Sequence, residues 1–200
     1  VRAYGLKPMR AIFATQFLYQ AGFSFFVTFF SVFLINRFGF GQGNIGDFFS
    51  WVGLWVVVAQ AIVVRRVLKV FNEKQVLNVS IIATAFLLMA FFLPKHVWQL
   101  LLITPFFATF NGLSFASTNG LVSRTAGAEI QGEILGINAS VLALAQTIPP
   151  VVSGYISASL RPEDPLIAGS GVVFFGGITF LLFYKLPAGF VHNPASVDSK

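Results

Sequence analysis

Six long apolar runs constrain this chain more than any other feature: residues 11–35, 45–64, 76–93, 97–121, 134–156 and 167–186. The hydrocarbon core of a bilayer takes about 20 apolar residues of helix, and every run comes close to that or exceeds it. A backbone crossing lipid must satisfy its own N–H and C=O groups, so only helices and closed barrels span. Barrel strands alternate apolar and polar residues over short segments, whereas these runs are continuous. The sequence therefore predicts an all-α integral membrane protein with six spans. Only 10% of the residues are charged, against roughly 25% in a domain that must keep its surface wet.

The expected layout is an N-terminal segment 1–10, a six-helix transmembrane domain 11–186 and a tail 187–200. Basic residues set the orientation, because short cytoplasmic loops collect Lys and Arg. With the N-terminus inside, Arg2, Lys7, Arg10, Arg65, Arg66, Lys69, Lys74, Arg124, Lys185 and Lys200 are cytoplasmic. Only Arg37, Lys95 and Arg161 then lie outside. That imbalance predicts a multi-pass plasma-membrane protein with both termini cytoplasmic. The net charge of +6 sits in these short breaks rather than in one basic stripe, so nucleic acid is not an expected partner. Zero cysteines exclude disulfides, thiolate metal sites and a Cys nucleophile, and no cofactor is expected.

Polar residues inside the spans fall on faces. Gln16 and Gln20 are an i,i+4 pair in the first run, and Thr104, Asn111, Ser114 and Thr118 keep to one side of the fourth. The second carries Asp47 and Gln60, the fifth Asn138, Ser140 and Gln146, while the third and sixth are nearly bare. A side-chain amide in lipid without a partner is costly, so these faces must look at protein or water. Spans one, two, four and five are thus expected to face inward and three and six outward. The candidate cavity residues are Gln16, Gln20, Phe23, Phe107, Asn111, Ser114 and Asn138. The competing reading is interhelical hydrogen bonding at about 0.6 kcal/mol per contact. Gly132 and Gly136 form a GxxxG, where a neighbouring backbone can come close and where leucine at 136 should wedge helices apart. Pro149 and Pro150 remove the N–H groups that would bond Ala145 and Gln146, so with Gly154 they mark a bend or a hinge.

The order of these residues resembles a known family. Gly43-Asn-Ile-Gly46, Ala59-Gln60-Ala61, and Arg65-Arg66-Val-Leu-Lys69-Val-Phe-Asn72-Glu73-Lys74 are similar to the eighth helix and following loop of major facilitator drug:proton antiporters, the tetracycline efflux proteins among them. Asn111-Gly112, Ser123-Arg124, Gln131-Gly132 to Gly136 and Ile148-Pro149-Pro150 to Gly154 resemble the tenth helix, its loop and the eleventh. The loop at 65–75 lacks the Asp of the family's stronger signature and has Asn72 where a glycine is usual, a substitution natural for a turn with φ > 0. This resemblance implies the C-terminal half of a transporter, helices seven to twelve, built as 3+3 inverted repeats. It further implies alternating access to a midplane site, efflux or exchange of a small amphipathic molecule, coupling to protons, and a partner in the missing N-terminal half or a second copy. No residue of this chain is assigned to proton coupling.

Rival readings are weaker on their chemistry. Gly41-Gln-Gly43-Asn-Ile-Gly46 spells a dinucleotide loop, but a membrane helix precedes it and Arg65 and Arg66 stand where an acid is required. Asn193-Pro-Ala195 matches one aquaporin signature, yet lies in the tail. A rhomboid-type protease would use Ser114 in Gly112-Leu-Ser114-Phe115, but His96 and His192, its only possible bases, lie outside the spans. A six-helix permease or scaffold subunit working with an ATPase remains the main alternative, because residues 126–136 share the composition of that class's coupling loop but not its order.

Overall fold

The structure, a computed structural model, describes residues 7–125, 131–159 and 164–184. Residues 1–6, Glu129, Arg161 and the tail 187–200 with Lys200 lie outside the described residues, as do Lys185 and the surroundings of Gly154. Among the described residues there are six helices and no strand: α1 Lys7–Phe38, α2 Gln42–Val70, α3 Glu73–Ala90, α4 Val97–Thr125, α5 Gln131–Ser159 and α6 Asp164–Phe183. All six are long and apolar enough to cross a bilayer.

Helix ends differ from expectation where charge is concerned. Arg65, Arg66 and Lys69, expected in a loop, lie within α2, and only Phe71 and Asn72 separate α2 from α3. Lys and Arg are good helix formers whose long stems follow the apolar surface while the charged head stays wet. Asn72 does not adopt positive φ; it occupies the N-cap position of α3 with φ −73°. The one left-handed residue among those described is Gly39, at φ 66°. Its N–H bonds the Ile35 carbonyl at 2.9 Å and ends α1 in an αL cap. At the start of α4, the Gln99 side chain reaches back to accept from the His96 N–H at 3.1 Å, half of a capping box.

Helix pairing is self-consistent under one exchange. The main contacts are α1 with α6, α3 with α4, α1 with α5, α2 with α4, and α3 with α6. Swapping α1, α2, α3 for α4, α5, α6 maps this set onto itself. The register agrees: Tyr19 of α1 meets Asn111 of α4, while Phe23, one turn later, stacks on Phe107, one turn earlier. α1 and α4 are therefore antiparallel, as inverted three-helix repeats require.

The α1–α6 seam is made by glycine. A Cβ on Gly22 would lie 2.5 Å from the Gly169 carbonyl oxygen, and one on Gly169 would lie 2.6 Å from that of Gly22. Backbone meets backbone there, and only glycine allows it. At Gly132 and Gly136, by contrast, an added Cβ meets nothing within 4 Å. The close approach expected at that GxxxG does not occur inside this bundle. α3 and α6 do carry outward apolar faces, with Phe86 and Leu182 exposed, but α3 also buries Ser80 and Thr84.

Pro105 and Pro150 show the same repair. Pro105 leaves the Leu101 carbonyl without its i+4 donor, and the Trp51 indole of α2 donates to that oxygen at 3.2 Å. Pro150 likewise frees the Gln146 carbonyl, and the Ser24 hydroxyl of α1 donates to it at 3.3 Å. A carbonyl freed by proline within a membrane helix needs another donor, and side chains of neighbouring helices supply it here. Trp51→Phe is expected to lower stability by about 1 kcal/mol. In a Pro105→Ala background the restored backbone N–H at that position reclaims the carbonyl, and most of that loss should vanish. Thermal melts of the two single variants and the double variant measure it; equal losses in both backgrounds would contradict the pairing.

Candidate functional site

Burial within the bundle is uneven. In the most apolar stretch of each helix, 17% of α2 and 22% of α5 is buried, against 39–44% for the other four. α2 and α5, the exchanged pair, thus leave broad faces uncovered on either side of α1 and α4. Those faces carry polar groups: exposed Gln60 on α2, and exposed Ser140, Gln146 and Thr147 on α5.

Between them, α1 and α4 contribute a polar knot and an aromatic one. The Tyr19 hydroxyl donates to Asn111 Oδ1 and lies within reach of Ser114 and Thr84. Ser114 donates to Ser80 Oγ at 2.9 Å, and Thr84 to the Ser80 carbonyl at 2.8 Å. The α1, α3 and α4 helices are joined there without a charge. One turn away, the Phe23 and Phe107 rings stack with centroids 6.2 Å apart. Phe107 also meets Phe91 edge-on at 5.5 Å, and Phe26 packs on Phe30 at 4.6 Å. These rings form a ladder through the core, so Phe26 and Phe107 act in packing, while Phe106 faces outward.

The expected cavity residues therefore divide. Gln20, Phe23 and Asn111 are half-buried, at the margin between core and open face. Ser114 is sealed in the α3–α4 interface. Gln16 and Asn138 are buried, yet Gln16 Oε1 and Asn138 Oδ1 make no hydrogen bond among the described residues. Thr15 Oγ1 is in the same condition. Buried polar atoms left without partners are few in folded proteins, and here they are spread over the bundle, with Trp55 Nε1 on α2, Asn78 Oδ1 on α3 and Ser117 Oγ on α4 in the same condition.

Two features escape sequence reasoning. Tyr19, three residues after Gln16 and four before Phe23, shares their face, but an aromatic in an apolar run gives no signal of its hydroxyl's partner. Ala59–Val64 of α2 winds as a π-helix. Gln60 in that wide turn lies across Gly112, where an added Cβ would be 3.4 Å from Gln60 Nε2. Such turns insert a residue, re-aim side chains and are frequent at functional sites.

The acidic residues lie at the edges of the spans. Asp47 borders a 430 Å³ cleft with Trp51 and Leu101 near the start of α2, and Glu133 is exposed in the first turn of α5. Glu73 pairs with Arg124 at 2.7 Å across the ends of α3 and α4. In the basic motif at 65–74, Arg65, Arg66 and Lys69 are exposed and Lys74 sits 5.7 Å from the centre of the Tyr184 ring. No cluster of three or more His, Cys, Asp or Glu suited to a metal exists among the described residues.

Comparison with known proteins gives the family. The model for "Major Facilitator Superfamily" matches residues 12–199. Solute carrier family 22 member 18 of Rattus norvegicus is 25% identical over 168 residues, which cover 81% of this chain and 39% of that protein. The chain thus spans less than half the length of this curated relative. With six membrane-length helices and a family match over nearly its whole length, this chain is an integral membrane protein that belongs to the Major Facilitator Superfamily, a family of transporters and not of enzymes.

Proposed function

We propose that this chain is one six-helix half of a secondary transporter that moves a small amphipathic molecule by alternating access. The observation that carries this reading is the uncovered faces of α2 and α5, with exposed Gln60 and Ser140, beside α1 and α4 with half-buried Gln20 and Asn111. Lipid would not solvate these groups. A second six-helix unit, either an N-terminal half or a second copy, would enclose them in a water-filled path. The open glycines Gly132 and Gly136 offer that unit a close backbone approach.

Amides, hydroxyls and rings without an embedded charge suit an amphipathic molecule better than an anion or a sugar. Efflux coupled to protons is the favoured direction, with the coupling acid on the other unit, since the acids here sit at the rims. The basic ends of α2 and α3 would face the cytoplasm.

Membranes containing the transporter, loaded with ethidium, rhodamine 6G or tetracycline, test this reading. Gln20→Leu and Asn111→Leu should each change the rank order of compounds moved by tenfold or more for at least one of them, with insertion unchanged. A protonophore should stop transport and ATP depletion should not. Unchanged transport of every compound by both variants would remove these residues from the path.

A further inference from the structure

A further concave surface borders the C-terminal part of α2. It is a groove of about 640 Å³ between the last turns of α2, the first half of α3 and the middle of α4. Val63, Val67 and Phe71 form one wall, at i, i+4 and i+8; Val79, Phe110 and Leu113 form the other. Its outer edge is apolar and open, with Phe71 and Val79 more than half exposed. At its end the lining turns polar at Gln75, an exposed residue.

Arg66 does not line this groove but flanks it by helix register. It follows Val63 by three residues and precedes Val70 by four, so it shares the outward flank of the Val63–Val67–Phe71 wall. It is exposed and makes no ion pair among the described residues. Arg65 is equally exposed but lies about 160° around the helix from Val67, against about 100° for Arg66. The same end of the bundle carries Lys69, Lys74 and Arg124; of its acids among the described residues, Glu73 is held by Arg124 and Glu133 is exposed at the start of α5. An apolar slot open to lipid, ending beside a free guanidinium in a basic rim, is complementary to an acyl chain beneath an anionic headgroup.

We infer that this groove binds one anionic phospholipid of the adjoining leaflet, with an acyl chain between α2, α3 and α4 and the phosphate on Arg66 and Gln75. The site depends on the bundle crossing a bilayer and not on what the protein carries. Its test therefore fails or succeeds separately from the transport reading.

The experiment is titration of the delipidated protein, in neutral detergent, with dioleoylphosphatidylglycerol or dioleoylphosphatidylcholine, read by intact mass of the complexes. One phosphatidylglycerol should be retained in preference to phosphatidylcholine. Arg66→Gln should weaken it about fivefold, the effect of one charge near a headgroup, and Arg65→Gln should not. Val79→Trp, which fills the groove from its open side, should weaken both lipids. Equal retention of the two lipids by the unaltered protein would overturn the assignment, as would equal losses for Arg65→Gln and Arg66→Gln. Loss on Arg66→Gln with none on Val79→Trp would mean a bare surface charge and would also overturn it. Should Val79→Trp not fold, the two arginine variants decide alone.

Discussion

Leucine at Gly22 or Gly169 is expected to abolish recovery of folded protein from the membrane. An added Cβ at either position already falls within 2.6 Å of a carbonyl oxygen on the facing helix. A backbone atom cannot swing aside as a side-chain tip can, so the helices must part. Overpacking a well-packed interior costs about 1–3 kcal/mol even when side chains can adjust. Here separation would also strip packing along the whole α1–α6 seam, and helix association in lipid depends on that packing. Gly22→Ala should already lower the melting temperature in detergent, and the leucine variants should leave only aggregate on size-exclusion chromatography. Gly136→Leu is the informative contrast: its Cβ meets nothing here, so the six-helix unit should fold normally. If the proposed second unit packs against that face, transport should fall instead.

Arg124→Leu is the second large effect. Glu73 is buried, and its carboxylate is held by the Arg124 guanidinium at 2.7 Å, with Gly120 packed against the Glu73 stem. Removing the arginine strands the acid at the end of two membrane helices. Stranding a buried charged group costs roughly 1–3 kcal/mol or more, and the part-exposure of Arg124 puts this pair in the lower half of that range. Arg124→Lys should recover part of the loss. Combining Arg124→Leu with Glu73→Gln should recover more, because the stranded charge is gone. A melting temperature unchanged in Arg124→Leu would show that water reaches Glu73 without the arginine.

The six spans were legible because span length and hydropathy are imposed by the bilayer itself, independently of tertiary detail. The residue types on α1 and α4 likewise announced that some face must meet protein or water. Which face a given group serves was not legible. Ser114 reads as a cavity residue from its spacing, yet Ser80 on α3 takes its hydroxyl; that partner is set by the register of two helices, which periodicity does not encode. Gly132 and Gly136 match a packing motif by sequence, while the backbone contact is made by Gly22 and Gly169, separated by most of the chain. The π turn at Ala59–Val64 has no signature in residue type. The carbonyls freed by Pro105 and Pro150 could be foreseen, but Trp51 and Ser24 as their donors could not, since each comes from another helix.

The central claim, that α1, α2, α4 and α5 share a water-filled face while α3 and α6 meet lipid, is most directly tested by reaction rates of single cysteines. The chain has none of its own. Gln20→Cys, Gln60→Cys and Ser140→Cys would be compared with Phe86→Cys and Leu182→Cys in the native membrane, using a membrane-impermeant methanethiosulfonate. The first three are expected to label at least tenfold faster than the last two. Gln20→Cys and Gln60→Cys reacting as slowly as Phe86→Cys would contradict it.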